Sequence, residues 1–564
     1  MKNRMVFSSL FGLLLFLVAV GMAENPKEIF SIHELEMVLT QQSPLDKGNL
    51  NFQIEVIPQV KNINITNHPM PQNETAMAVN PTNTENLIVS MNDFRQGLSG
   101  QSIAYSKDGG ESWNLLTVVA PENNVYYIDP SVAFDPSGNA YIAYLAVKQG
   151  AFLTGTGIAV LKSTDGGENW STPLYIANDL TNSSVTHSRP FIAVHPTSND
   201  IYVSWVITEG NTAYPVIARS KDGAQSFSSR VAITQEQGAV RNAIPAISLD
   251  GTVYVTYFDL LTSQIKVARS DDQGTTFQAV HTLEVEQIGE AFGYRRVLKG
   301  ALKVNSYPWI TVDNSPAPTS GNVYVTWADN RNGNPDIFLI TSKDKGQTWS
   351  NPIRVNNDLT SADQFFPTIN VDQATGAVHI AFYDSRNDAE NLLVDTYVAQ
   401  SIDGAETFVN TRLSTASSNP TIGFDQGSQK FFGDYLAVAS FNNVIYSAFT
   451  DSREGNQEIY VAKFDKKDRP AEANVPLNYS LNQNYPNPFN PATIISFTLE
   501  VQTPVSLKIY NALGQEVVTL INNKLMEAQT HHIRFDASRL TSGVYFYRLE
   551  TPNYVDTKKM MFMQ

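Results

Sequence analysis

The octet "SKDGGESW", Ser106 to Trp113, returns 57 residues later as "STDGGENW", Ser163 to Trp170. The pattern Ser-x-Asp-x-Gly-x-x-Trp/Phe, with Ala allowed at the Gly position, occurs six times, beginning at Ser106, Ser163, Ser220, Ser270, Ser342 and Ser401. The spacings are 57, 57, 50, 72 and 59 residues. A repeat of this period means that each unit is one supersecondary element, which buries its apolar face only by stacking on the next. That requirement limits the fold more than any bulk property of the chain.

A second repeat runs in phase with the first. "PSVAFDPSGNAYIAYL", "PFIAVHPTSNDIYVSWV" and "PAISLDGTVYVTYFD" are each a short apolar run, a turn and a second apolar run. "AMAVNPTNTENLIVSMND", "PWITVDNSPAPTSGNVYVTWAD", "PTINVDQATGAVHIAFYD" and "DYLAVASFNNVIYSAFTD" bring the total to seven. β-Branched and aromatic residues bounded by Gly, Pro, Asn and Asp predict strand pairs. A third strand leads into each octet and a fourth follows it. Four antiparallel strands per unit, repeated radially, predict an all-β propeller. Seven strand pairs against six octets imply that the seventh unit lacks its own fourth strand. "NFQIEVIPQV", Asn51 to Val60, is expected to supply it and close the ring.

The octets resemble the Asp boxes, or BNR repeats, of sialidase-like propellers, over some 360 residues from Ser106 onward. The seven strand pairs predict a seven-bladed propeller, whereas the resemblance offers six blades as the alternative, since family sialidases have six. The resemblance also gives Asp108, Asp165, Asp222, Asp272, Asp344 and Asp403 a structural role. Each Asp caps backbone N–H groups of a turn, Gly accepts a positive φ, and the aromatic packs beneath. Ala224 and Ala405, at the Gly position of two copies, suggest a less strained turn there. The family's Asp boxes lie on the face opposite the catalytic one.

A site is therefore expected where second strands pass to third and where chains enter first strands. The former carry Asp93-Phe94-Arg95, Asp329-Asn330-Arg331, Asp384-Ser385-Arg386 and Asp451-Ser452-Arg453. Each Asp and Arg can pair within a blade or across to its neighbour. A ring of arginines would equally suit an acidic glycan, because guanidinium binds carboxylate bidentately. The segments entering first strands carry Glu74, Tyr126-Tyr127-Ile128-Asp129, His187-Ser188-Arg189, Arg241-Asn242, Ser306-Tyr307 and Asp434-Tyr435. Two of these segments are long. One holds Glu290, Tyr294, Arg295 and Arg296, the other Asp425 and Asp434. Long loops over a rigid ring commonly carry function.

Family sialidases use three arginines on the substrate carboxylate, a Tyr activated by Glu as nucleophile, and an Asp as acid/base. The resemblance points to Asp434, Tyr435, Asp129 and Tyr307 as catalytic candidates. Arg95, Arg189, Arg241, Arg295, Arg331, Arg386 and Arg453 are the substrate-binding candidates. The family's Arg-Ile-Pro motif is not matched; the nearest stretch is "SRPF" at Ser188 to Phe191. A pair of carboxylates would also serve another glycosidase, and a Tyr/His/Arg set a polysaccharide lyase. A glycan-binding or adhesion propeller without turnover stays open. No metal or cofactor is implied.

After Lys463–Pro476 the composition changes. "LNQNYPNPFNPATIISFTL", "VSLKIYNALGQEVVTL", "HHIRFDASRLTSGVYFYRL" and "TKKMMF" alternate apolar and polar residues between Gly turns, predicting a small Ig-like β-sandwich. Asn484-Tyr485-Pro486-Asn487-Pro488-Phe489, Leu513-Gly514-Gln515 and Ser542-Gly543-Val544-Tyr545 resemble the type A sorting domain of the type IX secretion system. That implies passage across an outer membrane with the secretion machinery as partner.

At the other end, "MKNR" precedes the apolar "MVFSSLFGLLLFLVAVGMA". This is expected to be a signal peptide over 1–23 with Glu24 as the mature start, or alternatively a membrane anchor. The expected layout is then a linker over 24–50, the propeller over 51–465, a linker over 466–478 and the sorting module over 479–564. The chain contains no cysteine, which excludes disulfides, thiol catalysis and Cys-ligated metals. A net charge of −16 argues against nucleic acid. The expectation is an exported or surface monomer, a sialidase-like glycosidase acting on an extracellular glycan or glycoprotein.

Overall fold

A computed structural model describes residues 60–563 except 96–99, 150–152, 235–237, 293–294, 427–428, 466–478, 485–486, 527–529 and the single positions 359, 500, 502 and 539. The expected signal peptide over 1–23, the expected linker over 24–50, residues 51–59 and Tyr294 lie outside the described residues.

The described residues before the second linker form a β-propeller. Seven four-stranded antiparallel sheets follow one another along the chain. The first is Gln72–Val79, Leu87–Asp93, Gly100–Ser106 and Asn114–Val118, innermost strand first. The other innermost strands are Val125–Phe134, Val185–Val194, Val240–Ile247, Trp309–Val312, Gln364–Val371 and Ala437–Phe441. Each touches the next, and Ala437–Phe441 touches Gln72–Val79, so the circuit is closed. The second strands are buried along both faces, as in Val323–Asp329 and Val378–Asp384. That is why they read as continuous apolar runs rather than alternating ones.

Lys61–Asn64 is the outermost strand of the seventh sheet. It pairs antiparallel with Glu458–Asp465 through Lys61↔Lys463, Ile63↔Val461 and Asn64↔Tyr460. The ring is thus closed by the chain's early residues, but by the stretch just after the expected Asn51–Val60. An outer edge strand buries only one side. Its sequence, KNIN, can therefore carry three polar residues of four and is weaker as a strand signal than its neighbour.

All six octets make one hydrogen-bonded turn. In the first, Ser106 Oγ donates to Asp108 Oδ1 at 2.7 Å, and Gly110 N–H donates to Ser106 Oγ at 2.9 Å. Ser112 N–H donates to Asp108 Oδ1 at 2.9 Å, and Trp113 Nε1 donates to the Gly110 carbonyl at 3.2 Å. The turn places two consecutive residues at positive φ, and the Ala copies are not relaxed: φ is 63° at Ala224 and 69° at Ala405. Each of these has Gly before it, Gly223 and Gly404, whereas Gln273 and Lys345 at the preceding position are followed by Gly274 and Gly346. Every octet keeps at least one glycine of the two.

The long segment entering the fifth sheet was expected as a loop. It is instead an accessory sheet, with Glu290–Phe292, Arg295–Leu298 and Leu302–Val304 joined to Gln429–Lys430 and Asp425–Gln426 from the other long segment. Leu302 pairs in parallel with Lys430.

The C-terminal module has a three-stranded sheet of Ser480–Leu481, Ala492–Thr498 and Thr530–Asp536. Its second sheet has four strands, Glu516–Met526, Thr503–Asn511, Gly543–Glu550 and Val555–Phe562. Alternate residues Val505, Leu507 and Ile509 point into a core with Phe497, Tyr547 and Phe562.

The octet geometry sets a test. A Cβ on Gly167, whose φ is 101°, would meet Tyr105 Cβ at 3.1 Å and Ile88 Cδ1 at 3.2 Å. Gly167→Ala is expected to cost about 1–2 kcal/mol. Ala224→Gly, which relieves left-handed strain at some entropic cost, is expected to be neutral or to gain about 0.5 kcal/mol. Thermal unfolding midpoints of the two variants check the contrast.

Candidate functional site

The innermost strands do not run straight into the axis. Ladder register shifts between Asn73 and Thr75, Ile128 and Ser131, Ser188 and Phe191, Arg241 and Ile244, and Phe365 and Thr368. These are β-bulges at one equivalent position of five sheets, and bulges re-aim side chains. The bulged residues are Glu74, Asp129, Arg189, Asn242 and Phe366, with φ between 50° and 55°. Such strain in non-glycine residues is concentrated at functional sites. Pro130, Pro190 and Pro367 follow three of them and offer no N–H where the ladder is interrupted.

The bulges bring together groups far apart in sequence. Glu74 Oε2 accepts from Asn92 Nδ2 at 2.6 Å, and Oε1 accepts the Asp434 N–H at 3.1 Å. Asn92 Oδ1 in turn accepts the Asp129 N–H at 3.1 Å. Arg189 Nη2 is ion-paired to Asp434 Oδ2, which also accepts Lys303 Nζ at 3.0 Å. Asn305 Nδ2 donates to the Asp434 carbonyl at 3.2 Å. Arg189 Nη1 reaches Asn242 Oδ1 at 3.3 Å, and its guanidinium lies 5.3 Å from the Tyr307 ring centre. Gly433 is required here, since a Cβ on it would meet Glu74 N at 3.0 Å.

Of the residues expected from sequence, Asp129, Arg189, Tyr307 and Asp434 meet in this cluster, with Tyr435 beside it. Tyr435 is packed between Phe191 and Trp309, with ring centres 6.4 and 6.0 Å away. It lines a cavity of 210 Å³ walled by the innermost strands of all seven sheets. Glu74 was read only as a residue near a first strand. Lys303, Asn305 and Asn92 carried no signal that singled them out. The shared signal that could have found part of the set is the residue before proline: Asp129, Arg189, Tyr307 and Phe366 all precede one.

The remaining arginines are placed elsewhere. Arg95, Arg331, Arg386 and Arg453 each pair with the Asp two residues before, at Asp93, Asp329, Asp384 and Asp451. In each, the Arg N–H also donates to that Asp, at 2.8 to 3.0 Å. Arg386 and Arg453 further stack on Tyr397 and Tyr460 at 4.4 and 4.3 Å. Arg241 donates to the Val240 carbonyl. Arg295 begins a strand of the accessory sheet, and its side chain lies outside the described residues. The six octet aspartates cap their own turns. Among the described residues, no group of three or more His, Asp or Glu could hold a metal ion.

Electrostatics separates the acids. Burial, followed by the charges of Asp129 and Asp434, pushes the Glu74 carboxyl well above the usual range. Burial pushes Asp434 the same way, but the Arg189 and Lys303 cations outweigh it and hold Asp434 below the usual range. Burial above all pushes the Tyr435 phenol well above its usual range. The cluster thus pushes two neighbouring acids, Glu74 and Asp434, in opposite directions, the arrangement that lets one site run acid and base chemistry together.

The accessory sheet delivers Lys303. It is latched by Lys299, at the tip of the same hairpin, whose side chain is 1% exposed. Lys299 Nζ meets Asp363 Oδ2 and Ser385 Oγ at 3.0 Å each, and Asn391 Oδ1 at 3.2 Å.

Residues 483–563 match the family described as the secretion system C-terminal sorting domain. The C-terminal module is a sorting domain. It marks the chain for type IX secretion, to the cell surface or beyond it. No curated protein matches the chain. Among solved structures, Hadza microbial sialidase Hz136 is similar at 12% identity and a TM-score of 0.40, covering 71% of this chain and 66%, just under two thirds, of that one. Trypanosoma rangeli sialidase is similar at 10% identity and 0.44, covering 89% of each chain. The GH93 α-L-arabinofuranosidase of Fusarium graminearum, in complex with arabinobiose, is similar at 14% and 0.39, covering 57% and 92%. Likeness at this level says nothing about chemistry.

Lys299→Met leaves Asp363 buried without its cation, and removing one partner of a buried pair costs about 3 kcal/mol. The expected result is a lowered unfolding midpoint with faster amide exchange across 295–304, read by hydrogen-exchange mass spectrometry.

Proposed function

We propose that the chain is an exported glycoside hydrolase acting on an extracellular glycan, with Glu74 as general acid and Asp129 as its partner carboxylate. The supporting observation is the buried Glu74 carboxyl, pushed well above the usual range, on a strained bulge beside Asp434 and beside Asp129 on the bulge of the next sheet. An acid that stays protonated at neutral pH can protonate a glycosidic oxygen while a second carboxylate serves the sugar's other face. Of the two partners, Asp129 is the more exposed, whereas the Asp434 side chain is 1% exposed and held by both cations. Asp434 is then a positioning residue that holds Arg189 and Lys303. Tyr435, kept as a phenol, shapes the axial wall, and Tyr307 carries Arg189. In the same reading residues 1–23 are a signal peptide, the octets are Asp boxes, and the propeller and sorting module occupy 51–465 and 479–564.

The full chain is to be screened against aryl glycosides and natural glycans. Glu74→Gln and Asp129→Asn are each expected to lower kcat by about 10²–10⁴ while the fold is kept. Full activity in both variants would remove the assignment. Lys303 favours the ionised form of Glu74. Lys303→Met should therefore raise the Glu74 pKa and carry the alkaline limb of the pH profile of kcat/KM to higher pH.

A second reading, glycan binding without turnover, is favoured by one observation. Glu74 and Asp434 are almost wholly buried, and their oxygens are already hydrogen-bonded. It predicts glycan retention that Glu74→Gln leaves unchanged, with no substrate turned over.

A further inference from the structure

We infer that the site takes a neutral glycan and discriminates against sugars that carry a carboxylate; this rests on the placement of the glycan site given above. A carboxylated sugar needs a guanidinium or ammonium whose charge is not already balanced, since its recognition depends on charge-assisted, preferably bidentate, hydrogen bonds. Both cations of this cluster are already paired with one buried carboxylate, Asp434. Arg189 gives one Nη to Asp434 and the other to Asn242, and its face lies on Tyr307. Lys303 gives Nζ to the same Asp434 oxygen and lies 4.6 Å from the Phe431 ring centre.

Several other cations among the described residues are engaged too. Lys299 is sealed against Asp363. Arg296 donates to the carbonyls of Gln287, Ile288 and Gly289. Arg95, Arg331, Arg386 and Arg453 are matched by their own aspartates.

The balance of charge points the same way. Two cations, Arg189 and Lys303, face three acids, Glu74, Asp129 and Asp434. An anionic ligand would have to displace Asp434 from a pair whose carboxylate side chain is 1% exposed. It would also approach Asp129, the more accessible acid, and like charge brought together in a partly dry site is strongly disfavoured.

The test uses the full chain on an array holding neutral glycans (pentose, hexose and N-acetylhexosamine) and acidic ones (sialylated and uronate-containing). A matched panel of aryl glycosides reports turnover. Neutral glycans are expected to be retained at least tenfold more strongly than acidic ones. Asp434→Asn, which releases Arg189, is expected to raise retention of acidic glycans at least tenfold. Asp129→Asn, which removes the exposed negative charge without opening the Arg189 pair, is expected to raise it in the same direction and serves if Asp434→Asn does not fold.

Preferential retention of acidic glycans, or release of sialic acid, would overturn the inference while leaving a hydrolase in place. Retention of neutral glycans without turnover of any substrate would uphold it and sink the hydrolase. Retention of neither class would overturn it.

Discussion

A ring of sheets has no stable open form of its own, because each sheet buries its faces only against two neighbours. The pairing of Lys61–Asn64 with Glu458–Asp465 joins the chain's early residues to its late ones and fixes the circumference. Asn62 adds side-chain bonds to the Leu413 carbonyl and the Thr415 N–H of the sixth unit, at 2.8 Å each. His68 N–H adds one to Glu458 at 3.0 Å. Once the ring is fixed, seven innermost strands must converge on one axis, and whatever their first residues carry is brought together.

The site is a consequence of that convergence. A carboxyl at Glu74, another at Asp129, a guanidinium at Arg189 and a carboxylate at Asp434 would each be solvated on an isolated sheet. At the axis they lose water and must satisfy one another, and buried charge is tolerable only when paired and hydrogen-bonded. The cluster meets this demand by dividing protonation unequally. Burial pushes the Glu74 carboxyl well above the usual range, whereas Arg189 and Lys303 hold Asp434 below it. The left-handed φ of the bulged residues is the backbone cost of aiming these side chains inward.

The accessory sheet shows how a rigid ring acquires a local chemistry. Two long insertions, unrelated in sequence position, pair through Leu302 and Lys430 and bring Lys303 over the axis. Their own register is held by Lys299 on one side and by Arg296 on backbone carbonyls on the other.

Much of this was legible in the chain. The octets and strand pairs gave the propeller and its unit order, because hydrogen bonding within a turn and alternation within a strand are local. The sorting module was equally plain in its strand alternation and turn residues. The strain at Ala224 and Ala405 was not, since a turn imposed by flanking strands can hold an alanine at a φ it would not choose. The closing strand was misplaced by one segment, because an edge strand needs few apolar residues. The Asp-x-Arg pairs were seen, but which acid each arginine would choose depended on the packing of the third strand. Lys303 and Lys299 gave no signal at all, being single lysines in long loops. The sequence by itself determined what repeats and where each turn falls, for those are decided within a few residues. Only the tertiary structure decided which of many acids and arginines share a dry axis. That depends on ring closure, and burial and Coulomb interactions act between groups that are neighbours in space and strangers in the chain.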